Sequence, residues 1–326
     1  STFSYATGKP VLGIIGAGHF TGSLILPKLK SAGGQIKSIA SSKGLSGSIQ
    51  AKKYSIENST TDYKEILADS DINTVLITTR HGSHSKFVSE ALMSDKYVFV
   101  EKPLSTTWEG LKRIENALEK SKGWVTVGFN RRFAPLALEL KKRLSSAPIN
   151  IIATMNAGFI SPEVWVHDLK AGGGRVIGEA CHFIDLCTYF TGSKVVEVCM
   201  NSMGPDAQVN TDNASILLKY ENGSNAVINY FSNGSKTYSK ERIEVHQHNS
   251  TFILDNWRKL TGYGTRGFRS KKTKQDKGHY NQFKQLLLGV EMSYGPTIPW
   301  DEVLNTSRAT LSAIDSFTNG TWVSIK

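Results

Sequence analysis

The sequence predicts an α/β protein with an N-terminal Rossmann-type, doubly wound parallel sheet and a C-terminal α+β domain whose sheet is mainly antiparallel. An apolar strand, a glycine turn and a helix follow one another in residues 11–29, and short strands and helices then alternate. That alternation is typical of a parallel sheet. From residue 149 onward, long β-type stretches separated by turns such as Glu221-Asn222-Gly223 indicate antiparallel hairpins. We therefore predict two domains, residues 10–133 and residues 134–326.

The glycine turn follows a strand that is apolar on both faces. Gly16 and Gly18 let the backbone turn sharply, and a helix begins at once. The first N–H groups of a helix lack partners within it and lie at the positive end of its dipole, so they favour a phosphate. Thr21 occupies the third position of the glycine pattern, which requires close packing around a small β-branched residue. The residues expected to surround a dinucleotide pyrophosphate are Gly16, Ala17, Gly18, His19 and Phe20.

The second predicted strand, Gln35–Ser41, ends where the adenosine ribose of a dinucleotide is expected. An acidic residue there would hydrogen-bond the 2′-hydroxyl of NAD. The sequence instead has Ser41, Ser42 and Lys43, two hydroxyls and a cation, which suit a 2′-phosphate. This favours NADP over NAD, with an ordinary polar loop at the strand end as the alternative.

A loop with a histidine follows the predicted strand Thr74–Thr78. Thr79 and Arg80 lie just past the carboxyl end of that strand, where open α/β sheets bind ligands, so we expect them to line the nicotinamide side. His84 ends this loop at the start of the next helix and is expected beside the cofactor, with a cap of that helix as the favoured alternative to a chemical role.

The strand Tyr97–Val100 ends in Glu101, Lys102 and Pro103. A cation at the carboxyl end of a strand can hydrogen-bond a hydroxyl and stabilise negative charge on its oxygen during hydride loss. We therefore expect Lys102 to be catalytic and Glu101 to lie beside the cofactor. The alternative is a surface lysine that precedes a loop.

Composition narrows the class of protein. The chain has 326 residues, 39% of them hydrophobic, and a net charge of +11, which suits anionic ligands. No apolar run approaches the length of a membrane span, and no pattern typical of nucleic-acid binding accompanies the basic residues 258–277. Three cysteines without metal-ligand spacing predict reduced thiols and no metal site. We expect a cytoplasmic protein that acts on a small molecule, without a nucleic-acid or membrane partner.

Five ordered motifs together resemble the glucose-fructose oxidoreductase / inositol dehydrogenase (Gfo/Idh/MocA) family, over roughly residues 10–320. They are VLGIIGAGHF, TDYKEILADSDINTVLITT, YVFVEKPL, VGFNRRF and GGGRVIGEACHFIDL. The resemblance implies a large open second sheet, whose outer face many members use for oligomers, and therefore a homo-oligomer. It implies an NAD(P)-dependent dehydrogenase that acts on a secondary alcohol of a sugar, cyclitol or nucleotide sugar.

The resemblance also assigns roles to residues. Lys102 matches the lysine that reaches toward the substrate hydroxyl, and His182 matches the presumed general acid/base. Asn130 and either Arg131 or Arg132 match positions at the domain junction, where an arginine either contacts cofactor or substrate or forms a salt bridge across the junction. Asp185 matches a further frequent residue, which we place near the substrate.

The segment 172–190 is predicted to be a helix that carries a polar face. Glu179, His182 and Asp185 are spaced by three residues, and an unperturbed imidazole pKa of about 6.5 suits proton exchange near neutral pH. Many sugar-oxidising members of the family have an aspartate four residues before the histidine, where this chain has Gly178. Glu179 could supply that carboxylate from another direction. His167, in the preceding loop, is expected over the substrate.

Two further expectations concern the state of the chain. The glycine at position 178 leaves open a cofactor-binding regulator or inactive subunit of the same fold. Segments such as IASSKGLSG, TTRHGSH and GFNRRFAP resemble the branch in which this unit follows a zinc-type alcohol dehydrogenase domain, and the chain begins with Ser1 rather than Met.

Overall fold

The computed structural model describes residues 5, 6 and 8–325 and contains two compact units. One unit extends to Gly128 and includes His279–Trp300. The other consists of Phe129–Gly278 and the chain from Asp301 onward.

The first unit is built on a six-stranded sheet with the order β3-β2-β1-β4-β5-β6 and parallel pairing throughout. Its strands are β1 (Val11–Ile15), β2 (Gln35–Ala40), β3 (Asn58–Thr60), β4 (Thr74–Ile77), β5 (Tyr97–Val100) and β6 (Val125–Val127). Its first five helices are α1 (Leu26–Ser31), α2 (Leu45–Tyr54), α3 (Lys64–Ala68), α4 (His84–Met93) and α5 (Trp108–Leu118). A π-helical turn, Thr21–Ile25, leads into α1. The strand order reverses direction beside β1, so the predicted doubly wound sheet is confirmed.

The central strands of this sheet are apolar because helices cover both of their faces. All residues of β1 and β4 are buried, including Leu12, Ile14 and Leu76, which are fully buried. A strand that is covered on both faces does not show the alternation of a half-exposed strand. This explains the continuous apolar run seen in the sequence.

The second unit contains a nine-stranded sheet with the order β14-β13-β12-β11-β7-β10-β9-β8-β15. Its strands are β7 (Asn150–Asn156), β8 (Val195–Ser202), β9 (Ala214–Tyr220), β10 (Asn225–Phe231), β11 (Glu241–Gln247), β12 (Ser250–Asp255), β13 (Lys259–Tyr263), β14 (Ser270–Lys272) and β15 (Val323–Ser324). Its helices include α6 (Pro135–Lys141) and α7 (Cys181–Thr191), and a π-helical turn, Val176–Ala180, precedes α7. The predicted antiparallel character is confirmed, with one parallel pair, β7 and β10.

Two of these strands, β13 and β14, lie in the basic stretch 258–277. β13 pairs with β12, and β14 pairs with β13. The stretch lacks a continuous apolar pattern because it forms the edge of the sheet, where only Leu260 of β13 is buried. Hydrogen bonding to β12 supplies the strand structure that the side chains do not indicate.

The last long helices are α8 (His279–Glu291) and α9 (Trp300–Asn319). The division into units differs from the continuous boundaries 10–133 and 134–326, because α8 belongs with the first unit. Phe283, Leu286 and Leu287 of α8 lie in the same apolar cluster as Leu12 and Phe99. Burial against the parallel sheet therefore holds α8 in the first unit, although α8 is remote from that unit in sequence.

Within residues 5, 6 and 8–325, no helix has both the length and the apolar composition that crossing a membrane requires.

Candidate active site

Four neighbouring strands of the first unit end beside the residues that the sequence assigns to a cofactor. In the order β2-β1-β4-β5, these strands lead into Ser41, Gly16, Thr78 and Glu101. Parallel strands place their carboxyl ends at one edge of the sheet, and β1 and β4 flank the point where the strand order reverses. The structure therefore brings the four predicted loops together at the edge where such sheets bind ligands.

Gly16 has a backbone conformation that requires glycine. Its φ is +114°, and a Cβ built on it would lie 2.8 Å from the carbonyl carbon of Thr78. The Gly16 N–H donates to the Ala40 carbonyl at 2.9 Å, which ties the turn to β2. Gly18, in contrast, faces open space, because a Cβ added there would have no neighbouring atom within 4 Å. The turn thus leaves room above Gly18, beside the exposed His19 and Phe20, whereas Ala17 is buried.

Sequence reasoning missed Thr78. Its contact with Thr21 explains how a threonine is accommodated at the third position of the glycine pattern. Thr78 Oγ1 donates to the Gly16 carbonyl at 3.0 Å and lies 2.8 Å from Thr21 Oγ1. Thr21 is fully buried. Close packing is instead provided by Gly22, where a Cβ would overlap the side chain of Gln50. The signal in the sequence was a threonine directly after the strand at the reversal point.

The loop after β2 combines an ordered serine with two exposed residues. Ser41 Oγ accepts the Gly47 N–H at 3.1 Å, and the Ser41 N–H donates to the Thr60 carbonyl at 3.1 Å. Ser42 and Lys43 are both exposed. The hydroxyl and the ammonium of these two side chains are therefore open to a ligand at the end of β2.

The loop after β4 is closed by His84. Thr79 is half-buried and its hydroxyl lies 2.7 Å from Ser83 Oγ, while Arg80 is exposed. His84 is fully buried, and its two ring nitrogens lie 2.7 Å from the Pro103 carbonyl and 3.0 Å from the Thr79 carbonyl. This placement differs from the expected cofactor contact, because both nitrogens face the chain itself.

Glu101 and Lys102 follow β5 directly. The Glu101 N–H donates to the Ile77 carbonyl at 2.9 Å, and its side chain is buried. A Cβ at Gly128 would lie 2.8 Å from Glu101 Oε2, so the glycine after β6 makes room for this carboxylate. Lys102 is half-buried, and the peptide bond to Pro103 is cis.

In the second unit, Asn130 and Arg131 lie in a 3₁₀ turn and are buried. Arg131 Nε and Nη2 each donate to the Glu241 carboxylate at 2.9 Å, and Asn130 Nδ2 donates to the Lys277 carbonyl at 2.7 Å. Glu241 also accepts from Lys277 Nζ and Trp257 Nε1, both at 2.6 Å. Arg131 thus forms a salt bridge within this unit, which differs both from the expected cofactor contact and from a salt bridge across the junction.

Ion pairing controls the protonation of Glu241. Burial by itself raises the pKa of this carboxyl group, but Arg131 and Lys277 outweigh burial and hold the pKa well below its usual range. The glutamate is therefore ionised and supplies the counter-charge that Arg131 and Lys277 share. Sequence reasoning missed Glu241, since nothing in strand β11 indicates its partners.

Asp185 belongs to a second buried charge cluster. Arg132 donates to its two carboxylate oxygens at 3.0 and 2.6 Å and to Glu302 Oε2 at 2.8 Å. Asp185 has no exposed surface. This differs from the substrate contact expected for Asp185, because the carboxylate is directed to a buried guanidinium.

Glu179 lies in a third cluster, around the fully buried Arg175. Tyr230 Oη donates to Glu179 Oε2 at 2.6 Å, and Arg175 Nε lies 3.4 Å from Glu179 Oε1. Glu179 lies in the π-helical turn before α7, and its partners differ from those of Asp185, which is six residues further along the chain. Glu179 is partly exposed, and the position Gly178 before it is buried.

His182 lies in the first turn of α7 and is 6% exposed. Its ring meets Phe129 edge-on, with 6.1 Å between centroids. His167 ends a 3₁₀ turn, Trp165–His167; its Nε2 lies 3.3 Å from the Ile160 carbonyl, and its carbonyl accepts from Asn210 Nδ2. Both histidines lie in the second unit.

Comparison with known proteins agrees with the topology. Residues 11–129 match the model of an oxidoreductase family with an NAD-binding Rossmann fold, and residues 148–253 match the Gfo/Idh/MocA C-terminal domain. The uncharacterized oxidoreductase YrbE of Bacillus subtilis (strain 168) is 30% identical over 78% of this chain and 76% of its own length. The chain belongs to the Gfo/Idh/MocA oxidoreductase family. The expected family is thereby confirmed.

The chain is also similar to enzymes named for their substrates. Myo-inositol 2-dehydrogenase of Thermotoga maritima is 26% identical over 64% of each chain. Inositol 2-dehydrogenase/D-chiro-inositol 3-dehydrogenase of Lacticaseibacillus casei is 40% identical over 32% of this chain and 30% of its own. Among solved structures, levoglucosan dehydrogenase with NADH and L-sorbose has a TM-score of 0.83 at 20% identity and covers 97% of this chain and 99% of its own. An oxidoreductase domain protein of Kribbella flavida has a TM-score of 0.86 at 21% identity, with 98% and 99% covered.

Proposed function

We propose that this chain is an NAD(P)-dependent dehydrogenase that acts on a secondary alcohol of a sugar, cyclitol or nucleotide sugar, or on the corresponding ketone. One observation carries the proposal: the Gly16 turn, the Thr78–Arg80 loop and Glu101–Lys102 follow adjacent parallel strands at the point where the strand order reverses. In such sheets that edge binds the nucleotide.

The residues of the first unit fit a dinucleotide. Gly16 brings the turn against Thr78, and the space above Gly18 lets a pyrophosphate approach the N–H groups at the start of the first helix. Gly16, Ala17, Gly18, His19 and Phe20 would hold the pyrophosphate, and Thr79 and Arg80 would flank the nicotinamide. When bound, the nicotinamide group supplies the hydride acceptor or donor.

Lys102 and His182 would then act on the reacting oxygen of the substrate. The Lys102 ammonium would donate a hydrogen bond to that oxygen and stabilise the negative charge that develops on it. The His182 imidazole would take up or return the hydroxyl proton, which suits a group that titrates near neutral pH. Both roles rest on the match of these residues to the motifs of the family.

The substrate class is supported by the relatives. The names of several matching proteins specify inositol and levoglucosan, which are polyhydroxylated ring alcohols. His167 and Glu179 are the residues of this chain that we propose to face such a ring. Glu179 would do so while Tyr230 holds one of its oxygens.

Exposed Ser42 and Lys43 support NADP over NAD as the preferred cofactor. The two side chains offer a hydroxyl and an ammonium at the end of β2 and no carboxylate. A 2′-phosphate would find both a donor and a positive charge there.

A homo-oligomer is part of the proposal. Ile152, Leu217 and Phe231 lie on one face of the nine-stranded sheet and are each at least 36% exposed. We expect light scattering of the purified protein to give a multiple of the monomer mass, and a monomer would contradict this part.

One observation favours a second candidate, a cofactor-binding subunit without turnover. Gly178 stands where many sugar-oxidising relatives have an aspartate, and Glu179 is already bonded to Tyr230 and Arg175. If no other group orients the substrate, the chain would bind cofactor without catalysis.

A cofactor titration and a substrate panel separate the two candidates. NADH and NADPH binding is measured by fluorescence, and oxidation of inositols, levoglucosan, free sugars and nucleotide sugars is followed at the absorbance band of the reduced nicotinamide. Binding with turnover supports the dehydrogenase. Binding without turnover on the whole panel supports the second candidate, and the absence of any cofactor binding would refute both.

A further inference from the structure

His84 joins two of the loops that surround the proposed cofactor site. It is the first residue of α4 and has no exposed surface. Nδ1 lies 2.7 Å from the Pro103 carbonyl, and Nε2 lies 3.0 Å from the Thr79 carbonyl. One imidazole therefore spans the loop after β4 and the loop after β5.

The contact with Pro103 bears on Lys102, which immediately precedes it. On the other side of Lys102, the Glu101 N–H is bonded to the Ile77 carbonyl at 2.9 Å. Lys102 thus lies between two residues whose backbones are fixed, one by β4 and one by His84. Fixing the backbone on both sides limits the positions that the Lys102 side chain can reach.

The surroundings of His84 favour its neutral form. Burial lowers the pKa of His84, and the nearby Lys102 lowers it further, although the two carbonyls act in the opposite direction. The His81 ring lies edge-on with 5.8 Å between centroids. A neutral imidazole has a single N–H, so it donates to only one of the two carbonyls. The shorter contact, from Nδ1 to Pro103, is the bond we expect it to make.

We propose that His84 is a positioning residue for Lys102: its Nδ1–H bond to the Pro103 carbonyl fixes the segment that carries the lysine. The inference rests on the proposed function only in taking Lys102 as the group that contacts the reacting oxygen. His84 itself touches neither substrate nor cofactor in the proposed arrangement.

Three substitutions distinguish positioning from general stability. In His84→Asn, the amide nitrogen can replace Nδ1 and donate to Pro103. In His84→Gln, the amide nitrogen replaces Nε2 and donates to Thr79 instead. His84→Leu removes the bond to Pro103 and the contact with the Thr79 carbonyl. Thr74→Val is the matched control, because Thr74 is also fully buried in the first unit and bonds Asn73 Oδ1, but lies at the opposite end of β4.

The first readout does not depend on turnover. Each variant is acetylated competitively with acetic anhydride, and the labelling rate of Lys102 relative to the other lysines is measured by mass spectrometry. We expect severalfold faster labelling of Lys102 in His84→Leu and His84→Gln, and wild-type labelling in His84→Asn and Thr74→Val. Should His84→Leu not fold, the comparison of the Asn and Gln variants decides, since each keeps one polar bond.

The second readout is kinetic and uses the panel substrate on which the wild type is most active. A displaced lysine should lower kcat by about tenfold to a hundredfold in His84→Leu and His84→Gln, with NADH affinity unchanged. Equal labelling of Lys102 in the Asn and Gln variants overturns the inference, whatever the activity. An inactive wild type in which Lys102 labelling still differs refutes the dehydrogenase and leaves the positioning role supported.

Discussion

In the first unit the polar groups of the candidate site are mostly backbone atoms at strand ends, whereas in the second unit they are buried charged side chains paired with one another. Gly16 and Thr78 are held by short loops after β1 and β4. Arg131 and Glu241, in contrast, meet across 110 residues of sequence.

This difference predicts how each unit responds to amino-acid substitutions. A loop of backbone donors can lose a side chain without leaving a buried charge behind. A buried ion pair that loses one member leaves the other uncompensated in a medium of low dielectric constant. We therefore expect substitutions in the first unit to affect binding more than stability, and the reverse for the charge clusters of the second.

The largest effect is expected at Glu241. Its carboxylate accepts hydrogen bonds from Arg131, Lys277 and Trp257. Glu241→Gln should lower the free energy of unfolding by about 3–5 kcal/mol, because the buried Arg131 and the half-buried Lys277 lose their counter-charge. Urea unfolding measures this. The control is Glu109→Gln, whose exposed carboxylate pairs with Arg113 one turn along α5, with an expected change below about 0.5 kcal/mol.

The same residue predicts a pH dependence. The pKa of Glu241 is lowered on folding from its usual 4.5, so the unfolded state binds a proton that the folded state does not. The stability that this provides is complete above about pH 4.5 and falls by about 1.4 kcal/mol for each pH unit below that value. Glu241→Gln should flatten the acid limb of the stability profile. A variant profile as steep as that of the wild type would assign the acid sensitivity to other groups.

The next effect concerns turnover. Lys102→Ala and His182→Ala should each lower kcat/KM by at least about a hundredfold, since each removes charge stabilisation or proton exchange at the reacting oxygen. NADH affinity should stay nearly unchanged. Lys112→Ala, on the exposed face of α5, is the control for loss of a lysine. Wild-type turnover in both Lys102→Ala and His182→Ala would refute the assignment.

The glycine turn offers a matched pair of smaller effects. Gly16→Ala should cost about 1–3 kcal/mol of stability, because alanine is strained at a φ of +114°. Gly18→Ala should leave stability unchanged or raise it by up to about 1 kcal/mol, since its Cβ meets open space. Both should weaken NADH binding. If Gly18→Ala binds NADH as the wild type does, the pyrophosphate does not approach this glycine.

The smallest effect is expected at Lys43, which is exposed at the end of β2. Lys43→Glu should weaken NADPH binding by about fivefold, or about 1 kcal/mol, because it places a carboxylate beside the 2′-phosphate. NADH binding should change less. Equal effects on the two cofactors would show that Lys43 does not distinguish them.

Two helices illustrate what a sequence pattern can and cannot predict. Apolar spacing predicts the helices at Thr21 and at Val176, and both begin with a π-helical turn. In the second helix, Glu179 bonds Tyr230 and Asp185 bonds Arg132, and residues six positions apart point about 120° apart even on a regular helix. A π-helical turn contains one residue more than an α-helical turn. The spacing of apolar residues in the sequence does not predict where such a turn occurs.

The sequence by itself determined the parallel sheet, the glycine turn and the position of Lys102 after a strand, because these depend on apolar periodicity and on backbone freedom within a few residues. Only the tertiary structure decided that Thr78 bonds Thr21, that His84 reaches Pro103 and that α8 packs in the first unit. Arg131 and Arg132 are adjacent, yet they pair with Glu241 and Asp185 at separations of 110 and 53 residues. A local pattern carries no information about which of many carboxylates a buried guanidinium meets, because the folded chain alone brings them within bonding distance.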